Sequence, residues 1–214
     1  DEVASHAAGV ETSYEKLDTQ IDDLFESHRN RIRYNFEYDG SLWSIVDFLN
    51  LVELQHVRWI EDLQEAAASN EEFTGQTDFT KCFFGRWFYN YEIDDEQLNE
   101  LLDELEPYHK SLHEAAITIN TTSGSEAKLS LYENEVVPLA HSIEEMFGRM
   151  HDYVDPLMKE LKNRENSILA DISQEASTAQ GALEELEHQV DSEVDTAIQE
   201  TTNTKNSSVM LLIG

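Results

Sequence analysis

His56, Cys82, His109 and His113 together offer one thiolate and three imidazoles, a complete tetrahedral donor set for a zinc ion. Cys82 is the sole cysteine of the chain. His109 and His113 stand four apart within Pro107-Tyr108-His109-Lys110-Ser111-Leu112-His113, and on a helix that spacing puts both rings on one face, one turn apart. One segment therefore supplies half of a metal site. A filled tetrahedron has no open place for a catalytic water, so the chemistry points to structure or sensing. Each residue taken alone has a plainer role: His56 as a hydrogen-bonded core histidine, Cys82 as a small buried hydrophobe, the His109/His113 pair as a polar helix face. The four together carry the metal reading.

The elements that must position these side chains can be read from periodicity. A helix is predicted from about Ser41 to Ala68, with Leu49, Val52, His56, Trp59, Ile60 and Leu63 on an inward stripe, so that His56 points at a core. After the polar break Ser69-Asn70-Glu71-Glu72 comes the aromatic stretch from Phe79 to Tyr89 around Cys82, expected as a turn of helix or a loop. Asp94 or Asp95 is placed to cap a helix running through Leu101, Leu105, His109, Leu112 and Ala116, ended by Thr121-Thr122-Ser123-Gly124-Ser125. A further helix is expected from about Ala127 to Tyr153, bent at Pro138.

Two longer periodic arms flank this region. In the first, Val10, Tyr14, Leu17, Ile21, Leu24, His28 and Ile32 follow steps of four and three, the seam of a helix packed on another helix, and Asp39-Gly40 marks a break. In the second, Leu161, Ile168, Ile172, Ala176, Ala179, Leu183, Leu186, Val190 and Ala197 keep a similar register. An arm of some 50 residues would run about 75 Å as a helix. These patterns predict an all-α chain, an antiparallel four-helix-bundle head at 40–156 on a coiled-coil stalk made of 1–39 and 157–206. The stalk is expected to pair as a homodimer. His28 reads as a solvated or hydrogen-bonded stalk histidine, and His6, His141, His151 and His188 lack any comparable context.

Composition narrows the function. Fourteen lysines and arginines against 45 acidic residues give a formal charge of −31, which repels nucleic acid and anionic lipid surfaces. Three prolines and eight glycines among 214 residues favour long helices over a turn-rich β protein. One thiol excludes an intrachain disulfide. The apolar run Ser207-Ser208-Val209-Met210-Leu211-Leu212-Ile213-Gly214 is far short of the roughly 20 residues of a membrane span and is read as the start of one at 207–214. On that reading the head is extracytoplasmic (periplasmic), in an inner-membrane protein.

His56-Val57-Arg58-Trp59, Cys82-Phe83-Phe84-Gly85-Arg86-Trp87-Phe88 and His109-Lys110-Ser111-Leu112-His113 resemble the H-x-x-W, C-x-x-G-x-W-[YF] and H-x-x-x-H signatures of the chemoreceptor zinc-binding (CZB) domain family. Their order and separations, 26 positions from His56 to Cys82 and 27 from Cys82 to His109, also fit. The resemblance covers roughly residues 41 to 120. It implies a small helical bundle that holds zinc through His56, Cys82, His109 and His113, in a methyl-accepting chemotaxis receptor or a related signalling protein. Most members of that family are cytoplasmic, whereas the flanking arms and terminal apolar run here lead to the extracytoplasmic expectation. Gly85 and Trp87 are assigned to packing, Gly85 allowing close approach of the chain and Trp87 covering the site. Two alternatives accompany this reading. One is a structural zinc clamp in a sensor for another small ligand. The other is a zinc hydrolase, ranked below it because no H-E-x-x-H motif is present, although Glu114 follows His113.

Overall fold

The computed structural model describes residues 2–213 of the chain, with side-chain environments for residues 3–206. It is all-α with one small hairpin, and its helices form a bundle that includes one very long helix. In chain order these are α1 (Glu2–Ile32), β1 (Asn35–Tyr38), β2 (Ser41–Ser44), α2 (Ile45–Ser69), α3 (Phe83–Phe88), α4 (Glu96–Thr121), α5 (Ser125–Leu131), a π turn (Tyr132–Val136) and α6 (Val137–Ile213). The chain divides into two compact units, residues 1–28 with 163–214, and residues 29–162.

In the first unit α1 lies antiparallel to the far part of α6, with Lys16 Nζ 3.6 Å from Glu175 and His28 Nδ1 3.1 Å from Glu165. His28 is thus a hydrogen-bonded arm histidine. The contact face differs from the expected seam by one position in alternate turns. Val10, Leu17 and Leu24 do face inward, but the positions between them are Ser13, Gln20 and Ser27, while Tyr14 and Ile21 are 57% and 41% exposed. On α6 the inward set is Leu161, Glu165, Ile168, Ile172, Glu175, Ala179, Ala182 and Leu186, and Leu169, Ala176, Leu183, Val190 and Ala197 are turned to solvent at seven-residue intervals. Small side chains, Ser13 on α1 and Ala179 on α6, are the least accessible positions of this face besides Ser27. A second set of large apolar residues, Tyr14 and Ile21 on α1 and Leu169, Leu183 and Val190 on α6, is exposed.

The second unit holds one hydrophobic core. Asp39 and Gly40, with φ of 51° and 75°, form the turn of the β1–β2 hairpin, whose register pairs Phe36 with Trp43. Positive φ at both central residues is the type I′ geometry that Asp-Gly favours. The break expected at this dipeptide is therefore a hairpin, and α2 starts four residues later than the periodicity suggested. Ser44 caps it through the Asp47 N–H at 3.2 Å, and Asn70 in the left-handed region (φ 59°) ends it. Asp95 caps α4 by accepting from Leu98 N–H at 3.0 Å, and its carboxylate also receives the hydroxyls of Tyr34 at 2.6 Å and Tyr153 at 2.9 Å. One side chain thereby ties the link between α1 and β1, the start of α4 and α6.

Neither Pro138 nor Pro156 breaks the last helix. The π turn ends with the Val137 N–H bonded to the Tyr132 carbonyl, and the widened ring just before Pro138 accommodates its pyrrolidine. Asp152, whose carbonyl loses its donor at Pro156, is exposed, and water can reach it. The expected pair of separate helices is in consequence one continuous α6. Among the described residues no helix is long and apolar enough to cross a membrane. The side chains of Ser207–Gly214, where a membrane-crossing segment was expected to open, lie outside the described residues.

Candidate metal centre

His56 lies on the inward stripe of α2 and is 8% exposed; His109 and His113 lie on the core face of α4 and are each 1% exposed. Cys82 stands in the extended cap position just before α3, half-buried. The structure brings these four side chains together, with one donor atom from each within 4.8 Å of all the others. The Cys82 Sγ to His109 Nε2 distance is 3.3 Å. Tetrahedral zinc with the usual N and S bond lengths has edges of about 3.3–3.8 Å, so small side-chain movements close the rest of the set.

Local sequence explains how Cys82 is presented. Asp78 organises the preceding turn: its carboxylate accepts from Thr80 N–H at 3.0 Å and Thr80 Oγ1 at 2.7 Å and pairs with Lys81 at 2.7 Å, while its carbonyl takes the Cys82 N–H at 3.2 Å. The bonds from Lys81 and Thr80 hold this exposed carboxyl down at about 2. Cys82 Sγ in turn accepts from the Gly85 N–H at 3.1 Å. Gly85 has to be glycine, because a Cβ there would overlap the Phe79 carbonyl. Sequence reading assigned that close approach to Gly85 but missed Asp78, whose signal is the Asp-x-Thr pattern of an Asx turn.

The electrostatics suit a cation. Burial, with repulsion from His56 and His113, pushes His109 down to about 2, and burial with repulsion from His56 pushes His113 down to about 4. His56 is also lowered by burial, against the opposing effect of its bond to the Val52 carbonyl. All three rings are therefore neutral at pH 7, as metal ligands must be. His56 Nδ1 donates to the Val52 carbonyl at 2.8 Å, which fixes its tautomer and frees Nε2 as a donor to metal. Burial raises the Cys82 thiol, opposed by the Gly85 and Phe84 N–H groups. Both nitrogens of His113 and Nδ1 of His109 are buried without a hydrogen-bond partner. The Gln76 carbonyl lies near enough to favour a charged His113 yet is not at hydrogen-bonding geometry. Unpartnered buried polar atoms cost about 1–3 kcal/mol each, and a zinc ion would relieve one on His113. On donor chemistry, spacing and orphaned nitrogens, these residues fit zinc.

Aromatic rings wall the cluster. Trp59 packs on His113 with centroids 4.8 Å apart and donates its indole N–H to the Gln76 carbonyl at 3.0 Å. Phe84 meets His109 edge-to-face at 5.0 Å. Trp87, expected over the site, instead packs against Phe48 at 4.5 Å and against Phe84 at 6.0 Å. A small cavity of about 150 Å³, bounded by Gln55, His56, Trp59, Gln76, Cys82 and His113 among others, reaches the cluster.

No curated protein and no solved structure matches this chain. A family model does, and the domains of that family are cytoplasmic, which overturns the extracytoplasmic (periplasmic) placement expected from the apolar run at 207–214. That model is the chemoreceptor zinc-binding domain, and the residues it matches, 56–120, begin at His56 and contain Cys82, His109 and His113.

Proposed function

We propose that this module is the zinc-binding sensory domain of a signal-transduction receptor of the methyl-accepting chemotaxis type, with His56, Cys82, His109 and His113 as the zinc ligands. The observation that carries this reading is the convergence of four donors from three separate segments to within 4.8 Å, three of them on buried histidines and the fourth on half-buried Cys82. Zinc, when bound, supplies the positive charge that keeps Cys82 deprotonated. His56 on α2, Cys82 at the head of α3 and the His109/His113 pair on α4 are then tied to one point. Loss of zinc, or oxidation of Cys82, removes a tie and leaves three buried imidazoles to be accommodated, a change in charge and packing that moves helices. The signals are accordingly zinc availability or oxidants.

The head is proposed at 40–156, inside the second unit, with arms at 1–39 and 157–206. The first unit is proposed to pair with that of a second copy. What supports the pairing is the exposed apolar stripe at seven-residue spacing, Tyr14 and Ile21 on α1 and Leu169, Leu183 and Val190 on α6. A heptad stripe is covered by another helix carrying the same repeat.

Metal analysis tests the central claim. Freshly purified protein should carry one zinc per chain, and Cys82→Ser and His109→Ala should each retain less than about a tenth of it. Substoichiometric zinc in the unaltered protein would overturn the reading. Exchange with a chelator within minutes supports a sensor, whereas retention over days makes the site a structural clamp.

A further inference from the structure

A second cavity, of about 320 Å³, shares His56 with the metal cluster but none of the other three candidate ligands. It lies between α2 and the part of α6 within the same unit. Its floor is His56, Ile60, Ile143 and Phe147, of which Phe147 is 1% and Ile143 4% exposed, and the Phe147 ring stands 6.2 Å from that of His56. Around this apolar floor stand three carboxylates, Glu53, Glu61 and Glu144, and no lysine or arginine lines the cavity. The side chains beside the rim carboxylates are histidines, His151 at 3.7 Å from Glu53 and His141 at 3.6 Å from Glu144.

The volume is at the lower end of the roughly 300–1,000 Å³ of small-molecule sites, which are typically apolar with a few convergent polar groups. The three glutamates repel an anion, and a wholly polar cation would leave the floor uncovered. An occupant with one apolar group and one positive charge satisfies both surfaces at once: its hydrocarbon removes Ile143, Ile60 and Phe147 from water, and its ammonium replaces solvent at the carboxylates.

We infer that this cavity is a binding site for a small amphipathic amine, one aryl or branched-alkyl group joined by a short chain to one ammonium. The inference stands on the cavity alone, independently of metal binding, so its failure leaves the zinc reading untouched.

The test uses 2-phenylethylammonium as probe, titrated into the full chain and followed by calorimetry and by NMR shifts. Saturable one-to-one binding is expected, with shifts at Ile143 and Phe147. Ala140 also lines the cavity, and Ala140→Phe should fill it and abolish binding. Glu61→Gln with Glu144→Gln should weaken binding at least about tenfold, the cost of about 1.4 kcal/mol. Both variants are required to keep wild-type helical content and zinc stoichiometry, and the unaltered protein must not bind phenylacetate. Equal affinity for uncharged 2-phenylethanol, binding that survives Ala140→Phe, or no saturable binding at all overturns the inference. So does a self-association that Ala140→Phe abolishes, which would make the cavity an interface between copies.

Discussion

Three imidazoles buried side by side exact a cost that depends on pH. His113 titrates near 4 and His109 near 2 in the folded protein, against an ordinary value of 6.5 in the unfolded chain, because burial and mutual repulsion disfavour the charged rings. Between pH 6.5 and 4 the unfolded chain therefore binds protons that the folded one does not, so folding stability is greatest above 6.5 and falls with acidification. Each such histidine weakens the metal-free fold by up to about 1.4 kcal/mol per pH unit. Urea titrations of the metal-free protein at pH 7, 6 and 5 should show midpoints falling in that order, and His113→Gln should flatten the slope. A pH-independent midpoint would mean that the rings are not buried neutral. The four side chains that converge were legible as candidates in the sequence because each has a distinctive chemistry and the pair a helical spacing. The Asp78 turn carries only the short Asp-x-Thr signal of an Asx turn, and the Trp59 and Phe84 walls carry none, since their roles depend on contacts between segments.

At the scale of elements, α3 is the part whose position matters most. It is six residues long, too short to hold itself as a helix, and it is placed by Phe84 and Trp87 in the core and by the approach of Gly85 to Phe79. Gly85→Ala should cost about 2–3 kcal/mol, the range of overpacking a filled site. It should also weaken zinc binding, because the Gly85 N–H is a donor to Cys82 Sγ. Thermal unfolding and competitive zinc titration of the variant check both effects; wild-type stability would show that the close approach is relieved at little cost. The hairpin was legible in principle, since Asp39-Gly40 between aromatic residues is its turn signal. Read as a break in helical periodicity, it shifted the start of α2. Pro138 invited a bend and Pro156 a helix boundary, and the chain absorbs the first in a π turn and exposes the carbonyl freed by the second.

For the whole molecule, the arms raise the question of what covers their outer face. Tyr14 and Ile21 are apolar, periodic and exposed, and burying them against a second copy would contribute about 1.5–3 kcal/mol each. The double variant Tyr14→Glu, Ile21→Glu should raise the dimer dissociation constant at least about a hundredfold. Light scattering across a dilution series measures this, with circular dichroism showing that the helices persist. Dimerisation unaffected by both charges, or an unaltered protein that is monomeric at high concentration, would remove the proposed pairing. Periodicity could say that the arms are helical and seamed, but not which of two overlapping stripes would face α6.

Helical class and the four candidate donors could be read from the chain alone, because helical spacing and donor chemistry are local properties that survive any particular packing. Packing selected which donor atoms converge and which of two overlapping stripes on α1 turns inward. Both turn on distances between segments far apart in the chain, where close packing rather than local preference selects the outcome.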